Sequence, residues 1–195
     1  EPVAEIYRDD FGAESFERPA LVHRGDAGWR IYLSCATPGS KHWWIEAVDA
    51  ATPGGLETGR RTVVLPGDES VGVKDPVVLV DEDGWHMWVC CHPLDVRGAE
   101  DRMTTRYATS ADGLSWVDRG AVLTPTPGAW DERGVRVAQR QLARGGLGRV
   151  RAVHDVLLDL LAPVATQVAP DAAAHALRWR HSTLPMATAR ATQLG

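Results

Sequence analysis

Asp75 lies one residue before Pro76 in the stretch 74–93, KDPVVLVDEDGWHMWVCCHP, and Glu17 lies two residues before Pro19 in 17–36, ERPALVHRGDAGWRIYLSCA. A third acidic position, Asp131 beside Glu132, follows Gly128-Ala129-Trp130 further along. Carboxylates brought to one site from separate segments can divide proton donation and proton acceptance between them, because mutual repulsion helps keep one of them protonated. The plainer reading of Asp75 is a side chain that bonds a backbone amide at a strand entrance. For Glu17 it is a solvated ion pair with Arg18, worth little.

Trp43 and Trp44 follow the polar loop Gly39-Ser40-Lys41-His42. Indole faces beside such a loop suit the CH faces of a sugar ring, and in adjacent strand positions only one of the two can face a cleft while the other packs inward. His92 ends a strand-like run and reads either as a ligand contact or as a capped strand terminus. Glu100-Asp101-Arg102 either presents Arg102 to hydroxyls or an acidic substituent, or is a surface charge cluster. Asp81-Glu82-Asp83-Gly84 lacks the further acidic ligand of a calcium loop and sits where a hairpin must turn. The histidines show no paired zinc spacing, the cysteines form no C-x-x-C pair, and Gly145-Gly146-Leu147-Gly148 follows no convincing strand. The sequence therefore predicts no metal and no nucleotide cofactor.

The elements that must position these residues are short strands. Val77 to Val80, the turn at 81–84 and Trp85 to Cys91 read as a hairpin, and both runs are apolar with little alternation, as in strands covered on both faces. The earlier stretch has the same plan: Pro19 corresponds to Pro76, Trp29 to Trp85, Tyr32 to Trp88 and Cys35 to Cys91, an offset of 57 residues at the proline and 56 thereafter. The first unit is expected to hold strands at Ala20 to His23, Trp29 to Ala36, Trp43 to Val48 and Thr62 to Leu65. The second is expected to hold strands at Val77 to Val80, Trp85 to Cys91, Thr104 to Thr109 and Ala121 to Leu123. A repeat of this length with four strands per unit is the pattern of a propeller blade. The fold class read from sequence is mainly β: about two blades of a partial β-propeller over 1–137, with residues 128–137 opening a third.

The chain has 195 residues, 44% hydrophobic and 24% charged, which is a globular composition. No apolar run approaches the roughly 20 residues a membrane helix needs, and the first residues carry neither a basic region nor an apolar core. The chain starts at Glu1 rather than Met, which reads as a processed chain or a fragment, with fragment preferred. The net charge of −5 argues against a nucleic-acid partner. Cys35, Cys90 and Cys91 are odd in number and fall at strand positions, which fits reduced structural thiols in a cytoplasmic protein. Nothing in the sequence sets the oligomeric state.

Beyond Val137 the composition changes: Glu, Lys, Phe, Tyr, Ile and Cys no longer occur, and 13 of the last 58 residues are Ala. Val153, Val156, Leu157, Leu160, Leu161 and Val164 follow helical spacing as far as Pro163, and a second helical piece is expected from Pro170 to about Arg180. Residues 138–195 thus read in one of two ways. They are a helical cap over the open edge of an incomplete propeller, or the product of a frame disruption near codon 138 in GC-rich coding DNA.

The motifs RPALV, WRIYLSCATPGSKHWW, VKDPVVLVDEDGWHMWVCCHP and TTRYATSADGLSW together resemble the five-bladed propeller glycoside hydrolases. Both the arabinanase and xylosidase group and the invertase and levansucrase group share this pattern. The resemblance covers roughly residues 11–137, about two blades of five. It implies a carbohydrate substrate and carboxylates from successive innermost strands meeting at the propeller axis, one acting as acid and one as base or nucleophile. On this sequence Asp75 matches the x-D-P carboxylate, Glu17 is its counterpart in the neighbouring blade, and Asp131 or Glu132 would supply a third. Arg18, His42, Trp43, Trp44, His92 and Arg102 would hold the sugar. The family order places the Glu acid after the Asp, whereas Glu17 precedes Asp75. Hydrolysis of a small oligosaccharide or glycoside is the first expectation; a non-catalytic carbohydrate-binding propeller and an inactive truncated product are the alternatives.

Overall fold

The structure, a computed structural model, describes the backbone of residues 2–140 and 150–152 and the side chains of 2–137. The helices expected at 153–164 and 170–180, and the frame reading of the tail, lie outside the described residues. Two four-stranded antiparallel sheets make up the body of the molecule. The first runs β1 (Phe16–His23), β2 (Trp29–Ala36), β3 (Trp43–Ala50) and β4 (Arg60–Leu65). The second runs β5 (Val71–Asp81), β6 (Gly84–Pro93), β7 (Thr104–Ser110) and β8 (Val117–Leu123), again with each strand beside its sequence neighbour. These are the two blades expected from the 56-residue repeat. A short pair, β9 (Val137–Arg140) with β10 (Val150–Ala152), follows, so strand pairing continues a little beyond the change in composition at Val137.

Each blade grades from a buried inner part to a wet rim. Strand β2 is buried along nearly its whole length and β6 along most of it, whereas β8 is mostly exposed and β4 largely so. The apolar run of β6 follows from this, since both faces of that strand are covered; β2 is covered on both faces as well, although Arg30 and Ser34 break up its apolar residues. Tyr32, Ile45, Ala47 and Val64 of the first blade pack with Val73, Met87, Val89 and Cys91 of the second, forming one core between the sheets. On the far side of the first blade, Ile31, Leu33, Cys35 and Val48 are covered by Leu56 and by the amino-terminal segment through Ile6, Phe11 and Ala13. All three cysteines are free and buried, and burial pushes their thiols up to about 12 for Cys35 and Cys90 and about 11 for Cys91. At neutral pH they are protonated packing groups.

The first strand of each blade begins earlier than the sequence suggests, because each contains a bulge at its proline. Glu17 pairs with Ser34 and Ala20 with Tyr32, so Arg18 and Pro19 stand opposite the single residue Leu33. Likewise Lys74 pairs with Cys90 and Val77 with Trp88, leaving Asp75 and Pro76 opposite Val89. Proline has no N–H to give a ladder, so a bulge is where a strand interior tolerates it. Arg18 (φ 35°) and Asp75 (φ 55°) are the two non-glycine residues with left-handed backbone among those described. Such conformations cost about 1–3 kcal/mol and persist only where the surroundings hold them.

Candidate active site

The meander topology puts the β2–β3 loop, the β6–β7 loop and the β4–β5 connection at one end of the two sheets. The bulges of β1 and β5 lie toward that same end. There Asp75 is 2% exposed although it carries a carboxylate. Its amide donates to Ser34 Oγ on β2 at 2.8 Å, which fixes the bulge against the first blade. Its Oδ2 accepts from Arg136 Nη1 at 2.9 Å and lies 3.7 Å from Arg18 Nε. Its Oδ1 is buried and has no hydrogen-bond partner among the described residues. Burial raises the Asp75 carboxyl above its ordinary value, against the pull of Lys74, Arg136 and Arg18 and with a smaller push from Glu17.

The register gives Glu17 a different place from the one the sequence suggests. The counterpart of Asp75 in the first blade is Arg18, which shares the bulge position, the following proline and the left-handed backbone. Glu17 corresponds to Lys74, and the two form an ion pair at 2.8 Å. The Lys74 ammonium also sits 4.7 Å from the centre of the Trp43 ring, a cation–π arrangement. Asp75, Glu17, Arg18 and Trp43 are thus brought into one cluster, together with Lys74, Ser34 and Arg136.

Trp44 faces another way: its ring stacks with His42 at 6.5 Å and its Nε1 donates to Glu46 Oε2. His42 bonds Thr37 Oγ1 at 2.7 Å and lines a groove of about 640 Å³ on the same end of the molecule, with Lys41, Asp68, Glu69, Arg97 and Glu100. His92 is 5% exposed, its Nδ1 3.3 Å from the Glu100 carbonyl, and burial holds its pKa below the ordinary imidazole value. Arg102 is exposed, with its amide tied to the Ala99 carbonyl in the β6–β7 loop. The Asp131 carboxylate accepts from the amide and hydroxyl of Thr126, at 3.4 and 3.3 Å, and closes the turn before β9. From that segment it is Arg136 that reaches Asp75. The signal for Arg136 stood in the sequence as Gly134-Val135-Arg136, which repeats Gly72-Val73-Lys74.

Among the described residues, no group of three or more His, Cys, Asp or Glu side chains could hold a metal ion, and no helix is long and apolar enough to cross a membrane. No family model and no curated protein matches the chain. Among solved structures it is similar to an alpha-L-arabinofuranosidase from Lactobacillus brevis, with 15% identity and a TM-score of 0.46. The match covers 66% of this chain and 42% of that one, so the chain spans less than half of its length.

Proposed function

We propose that residues 1–137 are part of a propeller that hydrolyses glycosidic bonds in a small oligosaccharide or glycoside, with Asp75 as the carboxylate at the reacting centre. One observation carries this reading: a buried aspartate held in left-handed backbone at a proline bulge, with Oδ1 left without a partner among the described residues. Strain and desolvation spent on one carboxylate, with an oxygen left unsatisfied, support a role for that oxygen toward a ligand. Glu17, whose side chain is 41% exposed, is the second acid nearby and the group with access to solvent. Glycoside cleavage needs both a proton donor and an ionised partner, and Trp43 beside Lys74 offers an aromatic edge for the sugar.

The test is Asp75→Asn assayed on a panel of aryl glycosides and short oligosaccharides. Turnover is expected to vanish with the melting temperature kept within a few degrees. Hydrolysis at the wild-type rate by that variant would sink the assignment. A second reading has its own support, because both carboxylates already sit in ion pairs, Glu17 with Lys74 and Asp75 with Arg136. In that reading the cluster binds carbohydrate without cleaving it. It predicts saturable glycan binding by wild-type protein with no product formed.

A further inference from the structure

Both cations that touch the Asp75 carboxylate do so at Oδ2. Arg136 Nη1 bonds it at 2.9 Å and Arg18 Nε lies at 3.7 Å, while Oδ1 is buried without a partner among the described residues. A carboxylate clamped through one oxygen cannot rotate freely, so the other oxygen keeps a fixed direction. Arg136 comes from the segment that leads into β9, not from either blade that carries the bulges. It stands where Lys74 stands in the preceding unit, and the two reach back in the same manner: Lys74 to Glu17 on β1, Arg136 to Asp75 on β5.

We propose that Arg136 is a positioning residue for this site: by holding Oδ2 it presents Asp75 Oδ1 as the reactive oxygen and favours the charged carboxylate. The proposal rests on the reading of Asp75 as the reacting carboxylate. The charged and titratable groups facing Asp75 are Arg18 and Glu17 from β1, Lys74 on its own strand, Arg136 ahead of β9, and the Cys90 thiol on β6. Of these, only Arg136 makes a direct hydrogen bond to the carboxylate. A guanidinium at this distance favours the charged form, and an opposite charge within about 4–6 Å lowers a carboxyl pKa by about 1–3 pH units. Arg136 is therefore, after Lys74, a main counterweight to the burial of Asp75, and the one of the two that bonds the carboxylate directly. It makes the site dependent on the start of a third unit, although Asp75 belongs to the second.

The experiment is a carbon-13 NMR titration of aspartate carboxyls in the whole chain, with the Asp75 signal assigned by its absence in Asp75→Asn. In Arg136→Gln the Asp75 midpoint should rise by about one pH unit or more. In Arg136→Lys, which restores the charge, it should return to within about half a pH unit of wild type. If Arg136→Gln is folded and its midpoint is unchanged, the proposal is overturned. If Arg136→Gln does not fold, Arg136→Lys decides alone, and a midpoint raised by a full pH unit there overturns it. The titration needs no turnover, so it reads the clamp whether or not the chain hydrolyses a glycoside. Where hydrolysis is present, the acidic limb of kcat/KM should move upward in Arg136→Gln by the same amount as the NMR midpoint, which a purely structural arginine would not cause.

Discussion

His92 and Gly72 show how a single side chain can be seated by what another residue lacks. The two stand opposite each other in the β5–β6 ladder. A Cβ added at Gly72 would lie 2.2 Å from His92 Nε2 and 2.6 Å from Cδ2, so the imidazole occupies the volume that any larger residue would need. In the sequence, Gly72 between two valines looks like a weak point in a strand, and a glycine there marks a close approach by another group. The identity of that group was not legible, because His92 lies 20 residues away and read as a strand end. Gly72→Ala should drive the ring out of its place beside the Glu100 carbonyl and destabilise the protein by about 1–3 kcal/mol, as overpacking does. Urea unfolding checks this, and a stability equal to wild type would mean the ring has another seat. Asp75 was visible as a candidate because proline marks its position. Arg136 could be placed by the repeat of Gly72-Val73-Lys74 at 134–136, but its ion pair could not, because its partner is 61 residues distant.

Strand β2 explains why the two blades were easier to read than the contact between them. Ile31, Leu33 and Cys35 on one face are plainly a core row, and they pack under the amino-terminal segment. The alternate row, Arg30, Tyr32 and Ser34, has polar tips and by alternation alone would pass for a solvent face. It is instead the face that meets the second blade. Arg30 donates to the Asp112 carbonyl at 2.6 Å, Tyr32 Oη to the Gly113 carbonyl at 2.7 Å, and Ser34 Oγ accepts the Asp75 amide. Each side chain satisfies one backbone group of the other blade, and the Tyr32 ring adds apolar bulk to the core between them. Burial pushes the Tyr32 phenol up to about 12, so it remains a donor throughout the working pH range. Tyr32→Phe keeps the ring and leaves the Gly113 carbonyl without this donor, a change expected to cost about 1 kcal/mol. Thermal unfolding that shows no loss would place water or another donor at that carbonyl. The repeat offset could reveal two like units, but the bonds joining them run between unlike residues, and a repeat carries no record of those.

At the end away from the candidate site, a buried ionic tie within the first blade seats Arg30, which also bonds the second blade, and this makes the stability of the molecule depend on pH. Arg30 is 2% exposed and bonds Asp49 through both Nε and Nη2, at 2.7 and 3.0 Å, while its Nη1 reaches the second blade at Asp112. Arg24 and Arg60 add further pairs to Asp49 at 3.3 and 3.1 Å. Burial pushes the Asp49 carboxyl up, but the Arg30 hydrogen bonds and the charges of Arg30, Arg24 and Arg60 together outweigh it, so its pKa lies below 3.8. A carboxylate with a depressed folded pKa stabilises the fold at pH values above its unfolded pKa, and that contribution disappears as pH falls through the folded one. Breaking the tie from the other side, with Arg30→Met, leaves Asp49 without its main partner and should cost about 3–5 kcal/mol. The sharper comparison is wild type with Asp49→Asn in chemical unfolding from pH 7 down to pH 2. Wild type should be the more stable protein at pH 7, and the gap should close below about pH 4 as Asp49 becomes neutral. Asp112, whose carboxyl is lowered to about 2 by the Ser115 and Leu114 amides and Ser110, also loses stabilisation in acid, but it is present in both proteins and cancels. A gap that stays constant over the whole range would show that Asp49 acts through shape rather than charge, and that it seats Arg30 against the second blade by geometry alone.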